Sequence, residues 1–386
     1  MKILFFLNRY PEYGGIEKVT EVLSDYLAFR GHNISILSLI SNESAIKAKN
    51  PRISYFCTPS NSFVSKENSC YIKRVLLEHS FDIIIFQDSY APIEDYLFNN
   101  VDRCRTSVFV VEHNTPNCGY LSFKYHFRNN IPRLRDILLA PYHYLYMRRA
   151  TLKRHRKLYD QADKYILLSE KFKPLLFHFL PSCIIEDKIV AIPNPVTVPI
   201  PKYIDFDAKQ CTLLFVGRFS QQKGIDMLLD IWKLIYMNHP QWTLKLVGGG
   251  QLESYILTYI KRHKMKNIEI IGLQKDTTPN YREASILCLT SVFEGWGLVL
   301  LEAMSYGCVP VAFQSYDSIT DIIAHDKDGI LVPPFNKREY ANQLNSLIDQ
   351  PLKLQKLQVQ AYDKAQNFGI NQIGKLWEDL FFGLNK

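Results

Sequence analysis

Short, unbroken apolar runs recur along this chain, and between them the apolar residues change to helical spacing. Residues 2–7 (KILFFL) are the first run. A loop then closes on Gly14 and Gly15, residues 16–30 keep the period of an amphipathic helix, and residues 34–39 (ISILSL) form a second run. Runs at 81–86, 107–111, 164–168 and 189–192 follow. An apolar run without alternation fits a strand buried on both faces, in a parallel sheet covered by helices. The pattern restarts at 211–216, continues at 244–247, 268–271, 286–289 and 309–313, and has a helical segment at 225–235. Strand, glycine turn, helix, strand is the opening unit of a doubly wound domain. The expected fold class is therefore α/β, with two Rossmann-like parallel-sheet domains.

A chain of 386 residues is also long for one core. Pro193-Asn194-Pro195 ends one run, and residues 196–207 carry prolines without helical period. A linker is placed at 197–208, between domains at 1–196 and 209–366. Residues 376–384 read as a helix within a terminal segment at 367–386.

Composition narrows the class. Hydrophobic content of 47% with 22% charged residues belongs to a soluble globular protein. The opening apolar run is too short for a signal peptide, and Asn8 and Arg9 interrupt it. No apolar run approaches the ~20 residues of a membrane span. Eight cysteines without a C-x-x-C pair, several in apolar runs, suit buried free thiols in a reducing cytosol.

The net charge of +8 is unevenly placed. Residues 123–159 hold Lys124, Arg128, Arg133, Arg135, Arg148, Arg149, Lys153, Arg154, Arg156 and Lys157 against Asp136 alone. Tyr125, Phe127, Tyr142, Tyr144, Tyr146 and Tyr159 are interleaved. That composition suits an anionic membrane surface. The plainer alternative is a solvated basic helix packed along part of its length. No nucleic-acid motif accompanies it, so no nucleic acid is expected as a partner.

Candidate chemistry concentrates in SVFEGWGLVLLEAMSYGCVPVA, residues 291–312. A loop with two glycines leads into a short helix at 298–306, which Gly307 ends. Glu294 stands before that helix and Glu302 in its early turns. Exposed N–H groups at a helix start favour a phosphate or sugar hydroxyl, and carboxylates accept from vicinal hydroxyls. The bland reading is a surface loop and a core helix with one solvated Glu. In GRFSQQKG, Arg218 and Lys223 follow a strand where two cations can neutralise a diphosphate. Gly248-Gly249-Gly250 follows another strand. His113 ends a strand where such folds bind ligands, although a lone His is more often structural.

Together these residues resemble a known family. Glu294 and Glu302 match an E-x7-E signature, and Gly217 to Gly224 match G-R-x-x-x-x-K-G. Gly14-Gly15, His113, Ser169-Glu170, Asn194 and Gly248 to Gly250 occur in the matching order. The chain resembles retaining glycosyltransferases of family 4, the glycosyl transferases group 1, of the bacterial surface-polysaccharide type. The resemblance implies the GT-B architecture, with two Rossmann-like domains facing a central cleft and a last helix crossing back to the first. It implies transfer of a hexose or N-acetylhexosamine from a nucleotide-diphosphate sugar, UDP first among the nucleotides, with retained anomeric configuration. By resemblance Arg218 and Lys223 hold the diphosphate. Gly14, Gly15, Gly248 and the helix start at Gly297, Leu298 and Val299 line the donor. Glu302 takes the ribose hydroxyls, and Glu294 and His113 contact the donor sugar. Family members often have Asp after this His, where this chain has Asn114. The leaving phosphate itself can take the acceptor's proton, so no separate base is implied. No D-x-D triplet lies near the donor residues, so neither metal nor cofactor is expected. The basic stretch favours a lipid-linked saccharide acceptor at the inner face of the cytoplasmic membrane. A nucleotide-sugar epimerase on the same fold, or a membrane-docked sugar-binding protein without activity, are the alternatives.

Overall fold

The computed structural model describes residues 1–11, 14–40, 50–62, 65–87, 93–121, 134–180 and 184–383, the side chains of 134–138 excepted. Two compact units emerge. The first consists of residues 1–117, 139–195 and 370–386, the second of 118–138 and 196–369.

The first unit is built on strands β1 (Lys2–Arg9), β2 (Asn33–Ile40), β3 (Ile53–Cys57), β4 (Ile83–Phe86), β5 (Ser107–Glu112), β6 (Lys164–Leu167) and β7 (Ile189–Ala191). They pair in the order β3-β2-β1-β4-β5-β6-β7, every pair parallel. Phe5, Phe6, Ile84, Phe86, Phe109 and Val110 are wholly buried, as expected of strands covered on both faces. The edge strand β3 (ISYFC) was not legible as a run, because polar and half-exposed residues break it.

Helix Ile370–Phe382 starts six residues earlier than the sequence pattern indicates and packs within this first unit. Gly374 lets it approach helix Gly15–Phe29, since any Cβ there would collide with the Tyr26 ring. Beside it, Glu378 accepts from the Tyr26 hydroxyl (3.0 Å) and from Arg30 Nε (3.0 Å). Those partners hold the Glu378 carboxyl below its usual range despite partial desolvation.

The second unit carries β8 (Gln210–Val216), β9 (Thr243–Val247), β10 (Ile268–Gly272), β11 (Ala284–Leu289), β12 (Val309–Phe313) and β13 (Ile330–Val332). Their order is β10-β9-β8-β11-β12-β13, again parallel throughout. Its core gathers Phe215, Phe219, Trp232, Leu244, Tyr340 and Leu344. Residues 197–208, read as a linker, are irregular but pack onto this unit. Phe206 and Ile204 close on Gly307, and Pro201 accepts from the Tyr362 hydroxyl at 2.7 Å. Gly307 itself, at φ +71°, ends helix Leu298–Met304 with Cys308 N bonded to Ala303 O (3.0 Å). That is the left-handed stop expected from the sequence.

The cysteines divide otherwise than expected. Among the described residues only Cys288 and Cys308 are buried, while Cys70, Cys104 and Cys211 are exposed.

A buried polar cluster ties helix Leu134–Gln161 to β5. Glu112, at the strand's end, receives Arg154 Nη1 (3.2 Å) and the Tyr165 hydroxyl (3.1 Å), with His155 Nδ1 at 3.7 Å. Burial pulls the His155 imidazole from 6.5 down to about 4, opposed by the Glu112 charge. Between those pH values the unfolded chain binds the extra proton, so stability is full above pH 6.5 and falls on acidification through about 4. The loss from His155 should reach on the order of 3 kcal/mol. Melting temperatures at pH 7.5, 5.5 and 4.5 should fall steeply for wild type. They should fall less for His155→Gln, which starts lower. Parallel decline of the two proteins would remove His155 as the cause.

Candidate functional site

In the second sheet β8 and β11 are neighbours, and the chain continues from them toward opposite edges. Loops leaving such a switch point diverge and open a crevice at the strands' carboxyl ends. Residues 217–224 follow β8 and residues 290–297 follow β11, so the two signature loops lie side by side.

Hydrogen bonds stitch them together. Val292 N donates to Gln222 O (2.8 Å), and Gln222 Nε2 to Phe293 O (3.3 Å). The Thr290 hydroxyl donates to the carbonyls of Lys223 (3.1 Å) and Gly224 (2.9 Å). This frame brings Lys223 Nζ to 2.5 Å from Glu294 Oε1, an oxygen that also receives the Ser291 hydroxyl at 2.6 Å. Glu294 is only 8% exposed, so its charge depends on that cation and that hydroxyl. Arg218 is exposed, and none of the ion pairs among the described residues uses its guanidinium.

The glycines after β9 support the Arg218 loop. Gly217 N donates to Val247 O (3.0 Å) and Phe219 N to Gly249 O (2.9 Å). At Gly248, φ is +139° and any Cβ would collide with the Gly217 carbonyl. Only glycine permits so close an approach.

Gly297, at φ +87°, precedes helix Leu298–Met304, and Leu298 and Val299 form its half-buried first turn. A Cβ on Gly297 would lie 2.7 Å from the Tyr316 hydroxyl. That hydroxyl is buried and has no partner among the described residues. Burial and the Glu294 charge hold the phenol well above its ordinary range. Its loop is fastened to the signature loop by Ser315 Oγ to Ser291 O (2.6 Å) and Ser318 Oγ to Gly295 O (3.0 Å).

Glu302 is not the solvated carboxylate of the bland reading. It is 2% exposed, with Tyr281 donating to Oε2 at 2.6 Å and the Thr197 hydroxyl donating to Oε1. Spacing along the chain could not have found either partner.

His113 stands one residue beyond β5 in the first unit, half-buried. Its Nε2 lies 2.5 Å from Gln87 Oε1, just after β4. An amide oxygen only accepts, so Nε2 carries the hydrogen and Nδ1 the lone pair. Burial lowers the imidazole to about 4, partly offset by Glu112, which keeps it neutral near pH 7. Gly14 caps helix Gly15–Phe29 without a side-chain bond. The Glu17 carboxylate folds against it so closely that a Cβ would collide with Oε2. The helix start expected to attract a phosphate therefore already has a carboxylate beside it.

Arg218, Lys223, Gly248, Glu294, Gly297, Leu298, Val299 and Glu302 thus all belong to the second unit, and Gly14, Gly15 and His113 to the first. Among the described residues no group of three or more His, Cys, Asp and Glu could hold a metal ion. The chain's two D-x-D triplets engage backbone instead. Asp205 accepts from Asp207 N (3.1 Å), and Asp328 from Ala324 N (2.7 Å).

The basic helix Leu134–Gln161 divides by residue. Residues 123–133 of the basic stretch lie outside the described residues. Residues 141–150 are exposed all round, including Tyr142, Tyr144, Tyr146, Arg148 and Arg149, and Lys153 and Arg156 follow them into solvent. Arg154 instead pairs inward with Glu112, and Lys157 with Glu94 (3.1 Å) and Asp95 (2.7 Å). Tyr159 is buried, its oxygen accepting from Ile185 N at 2.8 Å. These three residues face the protein and are not available to a surface.

Comparison with known proteins agrees with this architecture. The model of Glycosyltransferase Family 4 matches residues 13–198, and that of Glycosyl transferases group 1 matches residues 200–367. An uncharacterized glycosyltransferase of Haemophilus influenzae is 26% identical, covering 98% of this chain and 99% of its own. The amylovoran biosynthesis glycosyltransferase AmsD of Erwinia amylovora is 24% identical over the same shares. The fold is similar to that of the Anabaena protein HepE, solved with UDP-glucose, at TM-score 0.77 and 17% identity, covering 99% and 100% of the two chains. The chain belongs to the family 4 glycosyltransferases, the group 1 transferases, and has their GT-B fold.

Proposed function

We propose that this transferase moves a hexose or N-acetylhexosamine from a nucleotide-diphosphate sugar to a lipid-linked saccharide, retaining the anomeric configuration, in cell-surface polysaccharide synthesis. The observation that carries the donor assignment is the pair of cations at the second sheet's switch point. Arg218 is exposed there without an ion pair among the described residues, and Lys223 stands against covered Glu294. A diphosphate arriving at that crevice meets one ready guanidinium and one ammonium that it can share with Glu294. As the glycosidic bond breaks, charge grows on the β-phosphate, and cations already in place lower the barrier selectively. Glu294 and His113 act on the donor sugar in this reading, and Glu302 on the ribose. The phosphate oxygen that leaves can take the acceptor's proton on the same face, so no metal and no dedicated base enters the proposal. UDP is the nucleotide favoured by the HepE likeness, and a surface-polysaccharide acceptor by the AmsD likeness.

The lipid-linked acceptor rests on the exposed part of helix Leu134–Gln161. No helix among the described residues is long and apolar enough to cross a membrane. Three exposed tyrosines beside Arg148, Arg149 and Lys153 suit docking on an anionic face instead, here assigned to the cytoplasmic side.

Arg218→Ala, assayed with nucleotide sugars in excess EDTA, should lose turnover equivalent to on the order of 3 kcal/mol in the barrier, while wild type stays active. A variant within threefold of wild type would remove the diphosphate assignment. Wild-type activity abolished by EDTA and restored by Mg²⁺ would overturn metal independence.

Docking is tested with Arg148→Gln, Arg149→Gln and Lys153→Gln combined, leaving Arg154 in its ion pair. Each exposed cation should contribute about 1 kcal/mol at an anionic surface, screened over roughly 8–10 Å at moderate ionic strength. Wild type should co-sediment with anionic vesicles at low salt, and the triple variant should largely remain in solution. Equal sedimentation of both, or of neither, means that these residues form a solvated face.

A further inference from the structure

The Gln87–His113 contact has a second, unused half. Gln87 is 1% exposed, and its carboxamide oxygen faces His113 Nε2 at 2.5 Å. Its Nε2 is buried and has no hydrogen-bond partner among the described residues. A covered amide nitrogen with both hydrogens unbonded costs stability, so its retention calls for a partner that arrives later. Register explains the pairing. Phe86 is level with Val110 on β4 and β5, so Gln87 is level with Val111, and alternation returns His113 to the same face. Both side chains end at the carboxyl edge of adjacent parallel strands, the edge where such sheets receive ligands. The imidazole's other nitrogen has no partner among the described residues.

We propose that Gln87 is a positioning residue for His113 and a saccharide contact in its own right. Its oxygen fixes the Nε2–H tautomer, which leaves the Nδ1 lone pair for a sugar hydroxyl. Its unbonded nitrogen donates to a hydroxyl oxygen of the same uncharged saccharide. The inference rests on the part given to His113 under Proposed function. Among the described residues the charge that acts on the imidazole is Glu112, itself tied to Arg154, and the buried ring meets Gln87 in its neutral form.

Two variants and one control test it. Gln87→Leu removes both bonds. It should lower kcat roughly tenfold while nucleotide-diphosphate affinity stays within about twofold of wild type. Gln87→Glu keeps the shape and the acceptor but adds a charge that favours the imidazolium. The acid limb of its pH–rate profile should move up by about one pH unit or more. A Gln87→Glu profile superimposable on wild type overturns the proposal, even if Gln87→Leu fails to fold. His113→Ala separates this from the parent reading. If His113→Ala is as active as wild type, both fall. If it is inactive while the Gln87→Glu profile is unchanged, this proposal falls and the reading of His113 stands.

Discussion

An ion pair between residues distant in sequence joins the two signature loops of the second unit. Lys223 and Glu294 are 71 residues apart, yet their loops leave adjacent strands at the same edge. Glu294 is only 8% exposed, and removing its cation would leave a buried carboxylate without its ion-pair partner. The bonds from Thr290, Ser291, Val292 and Gln222 keep the two loops in register, and Gly248 lets the third loop support the first without a clash. Arg218 is exposed beside them and has no ion pair among the described residues.

This explains what the sequence made legible. Short unbroken apolar runs, separated by segments of helical spacing, located most of both sheets. Two strands were missed: β3, which carries half-exposed polar residues, and β13, a three-residue run between Gly329 and Pro333. Site residues followed the same rule. Glu294, Glu302, Arg218 and Lys223 sit in fixed local spacings, so a motif reveals them. Tyr281 reaches Glu302 across 21 positions, Gln87 reaches His113 across 26, and Thr197 reaches Glu302 across 105. No periodicity links such pairs. They become neighbours only once strand order is set.

The basic stretch shows the same limit in charge rather than in hydrophobicity. Composition counts cations but cannot say which ones turn inward. Arg154 is drawn to the end of β5 because Glu112 is wholly buried there and needs a counter-charge. Lys157 is claimed by two carboxylates one turn further on. Arg148, Arg149 and Lys153 meet no such demand, so the exposed basic surface is narrower than the sequence suggested.

The two units differ in the charge they offer at their strand ends, and that difference bears on what each can hold. The second presents Arg218 and Lys223 and suits a ligand bearing a diphosphate. The first presents His113 held neutral, an amide nitrogen without a partner among the described residues, and the Glu17 carboxylate beside the start of helix Gly15–Phe29. An anion gains little there, because the helix's positive end is already faced by a carboxylate and the imidazole supplies no charge. A hydroxyl gains more, since it can donate to Nδ1 or accept from the amide without losing an ionic hydration shell. In the function proposed above, the charged half of a sugar nucleotide is therefore assigned to the second unit and neutral saccharide hydroxyls to the His113 edge of the first.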